Sequence, residues 1–256
     1  MKITAQEIVD RFATTPTALR KLETWQRVKS KRVAPVVMGH TSSVVLGATL
    51  GEVRQVGRKT EHALGESKWS EVSQCLEIRD WNPDFAFTHV FHVATEAVGA
   101  IPTYQDLRRF CKEDALGQEM LWIPAMTAVD ASSSSVAPAA MRWRIGNAYY
   151  SFLREMYVAA FLRERGLEVG LHPLADALFR VDAWVDDFVM SLFIGNRSFR
   201  SGNEGRKTKA EEILDNQRFK FLSVELPTKR TFGSVHFPDD VELDKLYLRL
   251  TGANVR

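Results

Sequence analysis

The sequence predicts an α/β (or α+β) protein in two lobes, with a mixed sheet flanked by helices in the C-terminal lobe. In residues 145–165, apolar side chains recur three or four positions apart and the run stops at Gly166, which predicts a long amphipathic helix. Residues 183–194 and 219–224 are rich in apolar, β-branched and aromatic side chains, which favours strands. A helix, a strand pair and a following helix–strand unit together favour a layered sheet.

The N-terminal residues carry helix-start signals. Thr4 and Glu7 have the spacing of a capping box, and the first thirty residues are predicted to form two short helices separated near Pro16. Residues 33–55 are rich in Val, Gly, Thr and Ser, which predicts short strands with glycine turns.

The middle of the N-terminal half is less uniform. Residues 68–78 are predicted to be helical, and Pro102 is placed to begin another helix. Residues 85–93 fit a strand and a buried helix equally well, and the sequence leaves both open.

A segment of small and polar residues divides the chain. Residues 130–140 contain four consecutive serines and a proline, a composition typical of a linker or loop. We therefore predict an N-terminal mixed α/β lobe over residues 1–136 and a second lobe over residues 141–256.

The second lobe is predicted to run helix, strands, helix, strand, helix. Asp186 and Asp187 lie where a turn would join two strands. Beyond the long helix, the predicted segments are a β-like stretch at 167–171, strands at 177–181, 183–194 and 219–224, and helices at 204–214 and 243–250.

Composition limits the classes of function. The formal net charge of +2 gives no strong global field, so polyanion binding would require local clusters of charge. The two cysteines, Cys75 and Cys111, have no disulfide-scaffold or zinc-site spacing. The N-terminus lacks a signal-peptide pattern, and no apolar run reaches the roughly 20 residues of a membrane span. We therefore expect a cytoplasmic protein without membrane contact.

One constellation of residues points to chemistry. It consists of Glu155 on the long helix, the segment Arg180-Val-Asp182-Ala-Trp at a strand start, and Met190-Ser-Leu-Phe-Ile194 on the next strand. In this order the residues resemble the core of the PD-(D/E)XK (restriction-endonuclease-like) nuclease superfamily, over residues 145–226. The resemblance implies that two acids hold Mg²⁺ and that a lysine two residues after the second acid positions the attacking water. It assigns Asp182 and Glu155 to the metal, with Asp186 or Asp187 at the hairpin tip.

The chain departs from the superfamily pattern on the third strand. Ser191, Leu192 and Phe193 stand where the motif has acid-x-Lys. If the missing groups have migrated, the candidates are Glu204, Lys207 and Lys209, so that Lys207 or Lys209 would assist the water or the scissile phosphate.

A basic cluster follows the strand pair. It could clamp phosphates, although Glu211 and Glu212 partly cancel it and a solvated helix face is the alternative interpretation. The predicted nucleic-acid-binding residues are Arg197, Arg200, Arg206 and Lys207.

Two histidines have a spacing that places them on one face of a helix. His89 and His92 are three residues apart, but no third metal ligand is identifiable, so we interpret them as structural residues.

Two functions from different classes remain open. The first is a protein that binds or processes DNA or RNA and, if catalytic, acts as a Mg²⁺-dependent phosphodiesterase. By analogy with where such folds occur, it would be a component of a bacterial defence or mobile-element system. The alternative is a non-catalytic adaptor subunit that docks a protein partner.

Overall fold

The computed structural model describes residues 1–29, 31–193, 209–215, 217–226, 230–232 and 235–252. Helices dominate this part of the chain, and short strands make up the remainder of the regular structure. The helices are α1 (Ala5–Phe12), α2 (Pro16–Val28), α3 (Val33–Gly39), α4 (Val44–Gly47), α5 (Leu50–Lys59), α6 (Trp69–Val72), α7 (Leu76–Arg79), α8 (Ala86–Val98), α9 (Tyr104–Glu113), α10 (Ala115–Gly117), α11 (Ile123–Ala131), α12 (Ala137–Glu164), α13 (Pro173–Phe179) and α14 (Asp240–Thr251). The strands are β1 (Ile3–Thr4), β2 (Thr41–Ser42), β3 (Ala183–Val185), β4 (Phe188–Phe193), β5 (Lys220–Glu225), β6 (Arg230–Phe232) and β7 (Val235–Phe237).

The mixed class is confirmed, but the prediction for residues 33–55 is wrong. These residues form α3, α4 and α5, and only Thr41–Ser42 is extended. The Thr49 side chain accepts a hydrogen bond from the Glu52 N–H while the Glu52 carboxylate accepts from the Thr49 N–H, so α5 begins with a full capping box. Packing of the valines against the core outweighs their β propensity here.

Other helices match their sequence signals more closely. The capping box of Thr4 and Glu7 begins α1, and α2 begins at Pro16. Residues 68–78 hold two short helices instead of one, and the ambiguous residues 85–93 belong to α8. Of the predicted helix 204–214, residues 204–208 lie outside the described residues, and the described residues 209–214 contain a 3₁₀ turn at Ala210–Glu212.

The predicted long helix is the central element of the fold. Helix α12 has 28 residues, about 42 Å at the standard rise per residue, and it contacts helices on several sides, including α5, α7 and α8. From Phe152 to Leu162 every residue is buried except Glu155, which is half-buried. Glu155 and the buried Arg154 are thus adjacent charged residues within a helical segment that is otherwise apolar or aromatic.

A three-stranded sheet follows α12 in the order β3-β4-β5. Strands β3 and β4 form an antiparallel hairpin, and β5 returns parallel to β4. Gly170 forms an antiparallel bridge with Trp184 and so extends the edge beyond β3. Phe12 of α1 packs edge-on against Trp184, with 5.3 Å between the ring centroids.

The segment before the hairpin is not the predicted strand. Residues 177–181 belong largely to α13, because His172 caps the N–H of Leu174 and Pro173 occupies the first helical turn. Helix α13 ends at Arg180, whose backbone is left-handed with φ of 63°. This sharp ending directs the chain straight into β3.

The core extends across the predicted division between residues 1–136 and 141–256. That division falls at the start of α12, and buried side chains from both parts pack into one hydrophobic cluster, from Ile3 to Leu250. The packing is thus continuous across the predicted boundary, and the division into two lobes stays a prediction. Among the described residues, no helix combines the length and apolar character that crossing a bilayer needs.

Candidate functional site

The residues predicted to hold a metal line one cavity. It has a volume of about 480 Å³ and is open to solvent on one side. Glu155 reaches it from α12, Asp176 from α13, and Asp182 from the residue before β3. The structure therefore brings the two predicted acids together and adds a third, Asp176, that the sequence analysis missed.

Glu155 is the most perturbed group in this cavity. Burial raises the pKa of its carboxyl group well above the usual value, and the charges of Asp182 and Asp176 raise it further. The neighbouring Arg154, which is buried and donates to the Ser151 hydroxyl, acts in the opposite direction and lowers the pKa of Glu155. A cation bound beside Glu155 would stabilise the ionised form of its carboxyl group.

Asp182 is held in a fixed orientation. Its Oδ2 accepts a hydrogen bond from the backbone N–H of Leu192 at 2.6 Å, and its own N–H donates to the Met190 carbonyl oxygen at 3.0 Å. The carboxylate is therefore attached to the hairpin partner strand, and its position follows from the register of β3 on β4.

Two arginines supply the positive charge at the cavity. Arg144 is anchored by hydrogen bonds to the Trp81 carbonyl oxygen and the Asn82 side chain, both at 2.7 Å, and burial lowers the pKa of its guanidinium. Arg180 lies at the left-handed end of α13, and its buried Nε has no hydrogen-bond partner. Both side chains line the cavity with the acids.

The structure shows which side chains of β4 face the cavity, at the strand where the sequence departs from the superfamily pattern. The β4 residue that lines the cavity is Leu192, and Ser191 and Phe193 alternate to the opposite face. Ser191 donates instead to the Arg180 carbonyl oxygen at 3.3 Å. An apolar side chain thus occupies the cavity-facing position on this strand.

Of the predicted migrated groups, only Lys209 belongs to the described residues. Lys209 is exposed beside the 3₁₀ turn and does not line the cavity. Arg197, Arg200, Glu204, Arg206 and Lys207 lie outside the described residues, so their predicted roles stay predictions.

The hairpin-tip acids also lie away from the cavity. Asp186 occupies the turn with φ of 48°, and Asp187 pairs with Lys220 at 2.9 Å. Neither lines the cavity, so the hairpin tip is a turn, as its composition suggested.

The residues present suit Mg²⁺ in their chemistry. Carboxylate oxygens are hard ligands, and Mg²⁺ is commonly held by one or two of them together with waters and substrate phosphates. In the described residues, no three His, Cys, Asp or Glu side chains approach closely enough to form a complete metal cage by themselves. Glu155 and Asp182 would be the pair that holds the ion.

His89 and His92, which we interpreted from the sequence as structural residues, belong to a larger cluster of buried histidines. His40, His89, His92 and His172 are all buried, and the His40 ring lies 5.3 Å from that of His172 and 6.1 Å from that of His92. Burial is the main cause that lowers the pKa of His89 and of His172 to about 3. These rings are neutral core groups at neutral pH. Phe152, which lines the cavity, lies edge-on to the His92 ring, with 5.7 Å between the ring centroids.

Comparisons with known proteins add nothing to this geometry: the chain gives no significant match to protein-family models, to curated proteins or to solved structures.

Proposed function

We propose that this protein is a nucleic-acid-processing protein whose cavity around Glu155 and Asp182 hydrolyses phosphodiester bonds with a bound Mg²⁺. The observation that carries the proposal is the crowding of three carboxylates, Glu155, Asp176 and Asp182, around one open cavity within an apolar core. Like charges held close together cost stability, and acids with perturbed pKa values in an open cavity are typical of functional sites. A divalent cation is the ligand that this charge would attract.

The order of elements supports the same class. A long acid-bearing helix, the antiparallel hairpin of β3 and β4, and β5 parallel to β4 follow one another in an order that is compatible with the resemblance to the PD-(D/E)XK superfamily. Glu155 and Asp182 would hold the ion, which supplies charge neutralisation at the phosphate and a more acidic bound water. Arg180 and Arg144 are placed to bind the phosphate oxygens.

The test is cleavage of labelled single-stranded and duplex DNA and RNA with Mg²⁺ or Mn²⁺. We expect Asp182→Asn and Glu155→Gln to lower the rate roughly 100-fold or more, the scale on which one electrostatic stabiliser acts. The matched control is Asp187→Asn, which removes a hairpin-tip acid outside the cavity and should cleave as the wild type does.

Two outcomes would contradict the proposal. One is cleavage that survives both cavity substitutions. The other is a wild-type protein that neither cleaves any of these substrates nor binds Mn²⁺ by calorimetry, which would favour the adaptor alternative.

A further inference from the structure

A basic groove lies directly beside the carboxylate cavity. It has a volume of about 520 Å³ and runs between one face of α2 and the end of α13. The α2 residues that line it follow the i, i+3, i+4, i+7 spacing of a single helical face. They are Thr17, Arg20, Lys21, Thr24, Trp25 and Val28, followed by Lys29.

The charge of this groove has one sign. Arg20, Lys21, Lys29 and Arg180 line it, and no acid does. Lys29 forms an ion pair with Asp84 at 2.6 Å. Burial, and then repulsion by Arg180, lowers the pKa of Lys21, while Glu212 acts in the opposite direction. A surface groove that is lined by several cations attracts anions, because an anion reduces the repulsion between them.

The groove and the cavity share a wall. Ala177 and Arg180 line both, so the positive groove continues into the negative cavity across Arg180. The buried Nε of Arg180 has no hydrogen-bond partner, and the residue adopts a left-handed backbone conformation that a non-glycine residue rarely takes. A strained residue with an unsatisfied donor is a mark of a binding position.

An aromatic side chain completes the groove. Trp25 is half-buried, with part of its ring area in the groove among the cations. Proteins that bind single strands combine a positive groove for the backbone with aromatic surfaces on which bases stack. Duplex bases are stacked on each other and do not offer such a face.

From these contacts we propose that the groove between α2 and α13 binds a single-stranded nucleic acid, with Arg20, Lys21 and Arg180 on its phosphates and Trp25 against a base. The inference rests on the proposed function, because the strand would continue across Arg180 into the cavity of Glu155 and Asp182. It names the substrate of that site as an unpaired strand.

The experiment measures binding of a fluorescein-labelled oligothymidylate and of a duplex of the same length, in EDTA so that no cleavage occurs. We expect the full-length protein to bind the single strand more tightly. The double variant Arg20→Gln/Lys21→Gln should weaken single-strand binding roughly tenfold and reduce the salt slope of log Kd by about 1 to 1.5. Trp25→Leu should weaken binding without changing that slope, since stacking releases no counterions.

The matched control removes the same charge outside the groove. Arg27 and Lys31 are exposed and do not line it, so Arg27→Gln/Lys31→Gln should change affinity less than twofold. Equal losses in the two double variants, or equal affinity for strand and duplex, would overturn the groove proposal. Thermal unfolding of each variant shows that it is folded.

The two proposals fail in different ways. Binding is measured in EDTA and cleavage with Mn²⁺, so the groove and the catalytic site have separate readouts. Groove-dependent binding with no cleavage in any metal would contradict the catalytic proposal alone. Asp182-dependent cleavage with no groove dependence would contradict the groove alone.

Discussion

The carboxylate of Asp182 accepts a hydrogen bond from the Leu192 N–H at 2.6 Å, which ties the acid at the start of β3 to the cavity-facing residue of β4. The contact depends on an acceptor oxygen and not on charge, whereas cation binding depends on charge. Asp182→Asn retains an acceptor, so its melting temperature without metal should stay within about 2–4 °C of wild type, a change of about 1 kcal/mol.

The effect of Mn²⁺ separates the two roles of Asp182. We expect Mn²⁺ to raise the melting temperature of the wild type and not that of Asp182→Asn, because a ligand that binds only the folded state stabilises it. Asp182→Ala leaves the Leu192 N–H without its acceptor and should lose about 1–3 kcal/mol as well. Equal Mn²⁺ shifts in wild type and Asp182→Asn would contradict the assignment.

Glu155 should make stability fall as the pH rises. Its folded-state pKa lies well above the usual value of 4.5, so its contribution is fully present at pH below 4.5 and is lost as the pH rises through the folded-state pKa. Glu155→Gln should therefore unfold at a higher temperature than wild type at pH 8, with the difference vanishing near pH 4. The exposed Glu168→Gln is the control, and a constant difference across this pH range would refute the prediction.

Arg180 should prove costly for stability. A left-handed non-glycine residue costs about 1–2 kcal/mol relative to glycine, so Arg180→Gly should raise the melting temperature by a few degrees. The same change should weaken single-strand binding, since it removes the cation shared by the groove and the cavity. A stabilised variant with unchanged affinity would show that Arg180 has no binding role.

The buried histidines should make the protein sensitive to acid. The folded-state pKa of His89 is about 3, below the unfolded value of 6.5, so its contribution is fully present above pH 6.5 and is lost as the pH falls toward 3. At pH 5 the loss is about 2 kcal/mol for this residue. His89→Leu should reduce the drop in unfolding free energy between pH 7.5 and pH 5, measured by urea denaturation. His236→Gln, at an exposed position, should leave that drop unchanged.

The absence of a side chain at Gly170 lets its backbone lie close to the Trp184 ring at the edge of the sheet. A Cβ at this position would overlap the Trp184 ring, so Gly170→Ala should destabilise the fold by about 1–3 kcal/mol. Because Trp184 is two residues from Asp182, the Mn²⁺ shift should also shrink. Gly39→Ala is the control, since a Cβ there meets open space, and its unfolding free energy should match that of wild type.

The sequence by itself determined the elements whose signals are local. Helix α12 follows from apolar spacing and a glycine stop, α1 from a capping box, and the β3–β4 hairpin from two apolar runs around Asp186 and Asp187. The resemblance to the PD-(D/E)XK superfamily, read from the order of the predicted elements, also singled out Glu155 and Asp182.

Only the tertiary structure decided what depends on long-range packing. Residues 33–55 are helical because their valines pack against the core from helical turns, which overrides a local preference for strands. The third acid, Asp176, and the basic groove of α2 come from elements far apart in the chain, and no spacing rule links them. Their charges come together only when α13 packs against α2 and α8, because electrostatic interaction depends on distance in space and not along the chain.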